Sequence, residues 1–412
     1  MHKILTVIVA VLVVILAIAG WFLYAAKMRN IGIQNNAALP SALLLESRPV
    51  TTPDGDTFTL LLPKGFKVAI AASGMNRARF MAEIPDKRLF VTDMKDLSDN
   101  SEGKIYILDK FNNQTKTFDS KITYLSGLRN PNSIAFYTDA SGTNWLYIAL
   151  TDKLVRYRYS LGETAPTSEP ETLATYPAYG LSYKYGGWHL TRTIKIHNDK
   201  VYVSVGSSCD SCEEKDTEKV RATITKMNPD GSDQSIIATG LRNAVGLYFK
   251  GDELYASAMG SDHLGDDKPE EAMYHITEGA NYGWPYCYQY HSKVYANNSQ
   301  VWQHPIDCAN VPLAYATFPA HAAPLGLAFF DSNAAPELAN SFLLSLHGSS
   351  DITLGKGDKI VRINTKGEVE DFITGFLQGT TRHGRPVDIF PTSGSSFFFT
   401  DDFKGNLYYV YK

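Results

Sequence analysis

The chain has 412 residues, with 39 Lys+Arg against 43 Asp+Glu, 44% hydrophobic and 12% aromatic residues, 31 Gly and only 4 Cys. That much apolar material excludes a disordered chain, a collagen-like chain and a disulfide-dense miniprotein. A net charge of -4 offers no basic surface for nucleic acid or for anionic lipid.

From Ile4 to Ala26 only Thr6 and Gly20 interrupt an apolar run, with Lys3 before it and Lys27 and Arg29 after it. As a helix rising about 1.5 Å per residue, such a run spans a bilayer core of about 30 Å. A membrane anchor is therefore expected over residues 1–30, with a cleaved signal peptide ending near Ala17-Ile18-Ala19 as the alternative. Basic residues flank both ends and leave orientation open. Either reading places the rest of the chain outside the cytoplasm, tethered to the membrane or, after cleavage, secreted. Residues 31–63 mix Asn, Pro, Ser and Thr with short apolar patches and read as a tether leading into the fold.

Beyond it the chain repeats. Short strand patterns recur at Leu89-Phe90-Val91, Leu146-Tyr147-Ile148, Val201-Tyr202-Val203, Leu254-Tyr255-Ala256, Phe342-Leu343-Leu344 and Phe397-Phe398-Phe399. Their centres are 57, 55, 53, 88 and 55 residues apart, so one gap alone is long. Further β-like runs such as Lys104–Leu108, Leu154–Tyr159 and Lys359–Ile363 lie between them, separated by Gly, Asp and Asn turns. A period near 55 residues with several strands per unit predicts an all-β, six-bladed β-propeller over residues 64–412, with these triplets as inner strands. Gly65–Ile70 is expected to close the last blade beside Asn406–Lys412. A β-sandwich with coincidental spacing is the rival.

The long gap holds Cys287 and Cys308, while Cys209 and Cys212 form a C-x-x-C. Four cysteines allow three connectivities, and pairing 209 with 212 and 287 with 308 closes the shortest loops. Structural disulfides are expected in an oxidising compartment, with a redox C-x-x-C or half of a zinc site as alternatives.

Propellers bind ligands at the channel mouth. The polar segments placed there are Gly187-Trp188-His189-Leu190-Thr191-Arg192, Gly240-Leu241-Arg242-Asn243, Met259 to Glu271, Asn281-Tyr282-Gly283-Trp284-Pro285 and Gly384-Arg385-Pro386-Val387-Asp388. As an ordered set they resemble the glucose and sorbosone dehydrogenase family of six-bladed quinoproteins, which use pyrroloquinoline quinone (PQQ) and calcium. The resemblance runs from about Phe66 to the C-terminus. It implies oxidation of an aldose or related aldehyde to a lactone or acid, with electrons leaving to a membrane quinone or a cytochrome. Within it His189 is the expected base, since imidazole accepts protons near neutral pH. Arg242 and Asn243 are expected against the cofactor as donors to developing negative charge, and Arg385 as a carboxylate-binding cation. Asp388 is expected to orient a neighbour, and His321 to reach the pocket. Asp262 and the backbone of Gly260 and Ser261 are the expected calcium ligands, in a stretch rich in the hard oxygen donors that cation takes.

Two features depart from the family pattern. His347-Gly348-Ser349-Ser350 loses the Trp and Arg that many relatives carry there, and Lys359 is a candidate replacement cation. Two other function classes therefore stay open: a cofactor-free propeller serving as a binding module, and a calcium-dependent lactonase of the same fold.

Overall fold

The computed structural model describes residues 43–178 and 189–412. The apolar run at Ile4–Ala26 lies outside them, and so do Gly187 and Trp188. Among the described residues no helix is long and apolar enough to cross a membrane.

Six antiparallel blades account for the repeat, each four-stranded except blade 3, to which the short Ala280–Asn281 adds a fifth strand parallel to Ser235–Thr239. Their innermost strands are Arg77–Glu83, Ser133–Thr138, Arg192–His197, Asn243–Lys250, Pro324–Phe330 and Pro386–Pro391, for blades 1 to 6 in turn. Each packs on the next, and blade 6 packs back on blade 1, so the ring is closed. Closure is completed as expected by Lys67–Ala72, which pairs antiparallel with Asn406–Tyr411 as the outer strand of blade 6.

The apolar triplets are the second strand of each blade, not the innermost as expected. The reason is burial. A second strand lies between two neighbouring blades, so both of its faces are covered: Leu89 and Val91 pack toward blade 6 while Phe90 packs toward blade 2. Likewise Leu254 and Ala256 meet blade 3 while Tyr255 meets blade 5. Each blade junction has its own cluster of this kind. Two apolar faces yield an unbroken hydrophobic run, whereas the innermost strand borders the channel and carries buried polar residues such as Ser133, Thr193, Asn243 and Asp388.

Four innermost strands are bulged, at Ala78/Met81, Ala244/Leu247, Pro324/Leu327 and Pro386/Ile389. A bulge re-aims side chains and breaks the ladder. The re-aimed Phe80, Val245, Leu325 and Val387 form one apolar cluster with Met259 beside them. The freed N–H groups of Phe80, Gly246 and Asp388 donate to Thr92, Ser257 and Thr400, at 2.9, 2.8 and 3.0 Å. Those hydroxyls then donate to Asn132, Leu325 and Arg79 carbonyls on the next blade. A Ser or Thr after the triplet thus stitches neighbouring blades together, and Asp388 adds a bond from Met81 N–H at 2.9 Å across the blade 6 to blade 1 junction.

Part of the segment expected as a tether is folded. Leu45–Thr51 and Thr57–Pro63 form a hairpin whose alternating Phe58, Leu60 and Leu62 pack on Phe372 and Phe376. The long gap is an insertion in blade 4, between Glu271–His275 and Ala316–Phe318. It contains the hairpin Cys287–Tyr290 with Lys293–Ala296. Both disulfides pair as expected, Cys209 with Cys212 and Cys287 with Cys308. The thiols are thereby oxidised, so no zinc site forms from them.

Candidate active site

In every blade the chain enters the innermost strand and leaves the second strand at the same end of the ring. His189, Arg242, Asn243 and Arg385 all lie just before or at the start of innermost strands, and Gly260, Ser261 and Asp262 just after a second strand. Topology alone therefore gathers the expected residues at one channel mouth.

His189 is buried, with its Nδ1 2.9 Å from the Ser207 carbonyl. A carbonyl only accepts, so Nδ1 carries the proton and Nε2 keeps the lone pair, with no partner among the described residues. Ser207 Oγ sits 3.1 Å from the same nitrogen and donates to the Cys209 carbonyl at 2.7 Å. Burial, then the Arg242 charge, lowers the His189 pKa to about 3, which keeps the ring neutral. Asn243 lies beside it: a Cβ on Gly206 would come 2.5 Å from both Asn243 Oδ1 and His189 Cβ, so only glycine permits this approach. Asn243 Nδ2 lies 3.4 Å from Met259 Sδ.

Arg242 is held by two carboxylates, Asp210 at 2.8 Å and Asp262 at 3.0 Å. The second oxygen of Asp262 meets His321 Nδ1 at 3.3 Å, while His321 Nε2 donates to the Gly265 carbonyl at 2.9 Å. With both nitrogens facing acceptors, His321 is held as a cation and its pKa is raised, chiefly by Asp262. His321 is thereby tied to Arg242 through Asp262. That carboxylate is committed to two cationic partners, which is a poor arrangement for a calcium ligand.

Behind the Gly260-Ser261 turn, Glu271 accepts the Gly260 N–H at 2.6 Å, and burial raises its pKa to about 7. The linkage has a definite sign. A carboxyl with a folded pKa raised above the unfolded value of about 4.3 stabilises the fold fully below that value, and the contribution is lost as pH rises toward 7. Glu271→Gln should therefore raise Tm relative to the parent more at pH 8 than at pH 5 in calcium-free scanning calorimetry. A pH-independent difference would refute this.

On the blade 5 to blade 1 side, Arg385 Nε donates to the His347 carbonyl at 2.9 Å and its terminal nitrogen to the Gly348 carbonyl. The loop that lost Trp and Arg thus holds Arg385 through backbone atoms alone. Lys359 does not compensate, because its ammonium pairs with Asp371 at 2.6 Å. The nearer cation is Arg382, bound to Asp358 at 2.7 Å and to the Ser349 carbonyl at 2.7 Å.

Four groups had no local sequence signal. Asp402, fully buried, accepts from Arg77 and Arg79, each at 2.8 Å, and contacts His347 Nε2 at 2.6 Å. Asp401 beside it is pushed up to about 7 by burial. Arg77 and Arg79 thus share one firmly ionised carboxylate, and Arg385 is held close by on loop carbonyls. A polyanionic, planar cofactor with carboxylates fits that donor set.

Residues 60–412 match the TrAA12-like family. The chain belongs to that family. Among curated proteins, an uncharacterised protein of Borreliella burgdorferi is 28% identical over 402 residues, covering 93% of this chain and 99% of its own. Among solved structures, the Trichoderma reesei member of Carbohydrate-Active Enzymes Family AA12 superposes with a TM-score of 0.67 at 17% identity, covering 91% of this chain and 100% of that one. The holo PQQ domain of pyranose dehydrogenase from Coprinopsis cinerea gives 0.67 at 18% identity over 88% and 98%. PQQ-bound aldose sugar dehydrogenase from Streptomyces coelicolor gives 0.57 at 19% identity over 85% and 99%. These likenesses establish the six-bladed fold for this TrAA12-like chain.

Proposed function

We propose that this TrAA12-like protein is a PQQ-dependent oxidoreductase that oxidises an aldose or related aldehyde to a lactone or acid. The observation that carries the reading is His189: a buried, neutral imidazole close to Asn243, whose Nδ1–H is fixed on the Ser207 carbonyl and whose Nε2 has no partner among the described residues. Membership in the TrAA12-like family and likeness to quinoprotein dehydrogenases support it.

PQQ, when bound, supplies a two-electron acceptor for the substrate C–H bond. Arg385, Arg77 and Arg79 would offer guanidinium donors to its carboxylates. His189 Nε2 takes the proton of the substrate hydroxyl, and the Ser207 carbonyl steadies the resulting charge on the ring. Arg242 and Asn243 present fixed donors where negative charge develops. An ion at Asp262 would compete with Arg242 and His321 for its oxygens. Electrons would pass to a membrane quinone or cytochrome outside the cytoplasm, aided by the N-terminal tether through effective concentration.

Calorimetric titration of the purified apo-protein with PQQ, with and without calcium, tests the reading, followed by dye reduction with a panel of sugars. Saturable binding and sugar-dependent turnover are expected. No PQQ uptake under either condition sinks it, and lactone hydrolysis without PQQ would favour the lactonase instead.

A further inference from the structure

The disulfide between Cys209 and Cys212 encloses only Asp210 and Ser211, and those two residues face different parts of the molecule. Asp210 turns to the site. Its carboxylate binds the Arg242 guanidinium at 2.8 Å, the Asp262 N–H at 2.7 Å, and His263 through Nδ1 at 2.7 Å and N–H at 3.2 Å. Its backbone carbonyl accepts from Arg242 Nε at 3.1 Å, Ser261 Oγ at 3.1 Å and Trp284 Nε1 at 2.9 Å. Ser211 turns to the blade 4 insertion, where Asn297 and Gln300 each donate to it at 3.2 Å. The Cys209 carbonyl takes the hydroxyl of Ser207, the residue that fixes His189.

This loop has no strand or helix of its own between Val205 and Asp216. Loop hydrogen bonds and the disulfide hold it in place of a strand or helix, and one carboxylate on it orients both Arg242 and the 260–263 turn. A bridge across so short a loop adds less global stability by chain entropy than one across a long loop. Its effect is local: it fixes where Asp210 stands.

We propose that Asp210 is the positioning residue of this site, setting the direction of Arg242 and the Gly260–His263 turn, and that the Cys209–Cys212 bond keeps it in place. The part of this that concerns turnover rests on the dehydrogenase reading. The geometric part does not.

The test compares the full chain with Asp210→Asn, which keeps the backbone carbonyl and loses the charge, and with Cys209→Ser/Cys212→Ser. Hydrogen exchange at the Asp262 and His263 amides is read without cofactor, and kcat and KM after loading with PQQ and calcium. Exchange should quicken about tenfold or more in both variants. A misdirected Arg242 should lower kcat about 10²-fold with KM little changed. Unchanged exchange in Asp210→Asn overturns the proposal, and so does an unchanged kcat in a loaded enzyme. Should the double Ser variant fail to fold, Asp210→Asn decides alone. If the parent takes up no PQQ, the dehydrogenase reading falls while exchange still decides the role of Asp210.

Discussion

His189→Gln should lower kcat by about 10³-fold while leaving PQQ affinity and Tm near the parent values, the span expected when a general base is lost. Glutamine can keep a donor toward the Ser207 carbonyl but has no basic lone pair to present to a substrate hydroxyl. The pH profile sharpens the test. Arg242 and Arg192 push protons off this ring, Asp262 pulls the other way, and burial outweighs both. His189 thus has a folded pKa of about 3, below the ordinary imidazole value of about 6.5. The acid limb of kcat/KM assigned to this base should then lie below the ordinary imidazole value of about 6.5 and not at it. Steady-state dye reduction from pH 4 to 8 checks both points. Substantial turnover by the Gln variant, or a His189-dependent limb at pH 6 to 7, would assign the proton transfer to another group.

His189, Arg242, Asn243 and Arg385 could be placed from sequence because each sits in a short local motif beside a strand with strong apolar periodicity. The blade count was legible for the same reason: a second strand covered on both faces must read as a continuous hydrophobic run. That run did not reveal which strand is innermost, since burial between blades leaves a stronger mark than bordering the channel. The hydroxyl after the triplet at Thr92, Ser257 and Thr400 was an available signal for blade stitching, although the buried Ser345 hydroxyl in the same place has no partner among the described residues. The partners of the motif residues were not legible. Arg77 and Arg79 reach Asp402 across 325 and 323 residues, and no local pattern encodes a contact made only when a ring closes. Asp262 illustrates a different limit. An acidic stretch looks like a cation site until Arg242 and His321, separated from Asp262 by 20 and 59 residues, occupy its oxygens.

Asp402→Asn should cost about 3 to 5 kcal/mol, the range for breaking a buried ion pair by removing one partner. The Asp402 side chain is fully buried, and the charges left behind are Arg79, itself 5% exposed, and Arg77, 18% exposed. Asparagine offers one acceptor where the carboxylate served two guanidiniums and His347. Its amide N–H groups would have to face a donor. The folded pKa of Asp402 is held well below its ordinary value by His347, Arg77 and Arg79 against the opposing effect of burial. Its contribution is therefore present above the unfolded carboxyl pKa of about 3.9 and is lost as pH falls toward the folded value. For a ring of this size the loss corresponds to a Tm lower by about 5 °C, from the usual unfolding entropy per residue. Because Asp402 belongs to blade 6 and both arginines to blade 1, the weakening should fall on the seam where the propeller closes. Hydrogen exchange should then rise first in Lys67–Ala72 and Asn406–Tyr411, the strands that complete that seam. A Tm within about 1 °C of the parent would mean that Arg77 and Arg79 find other partners.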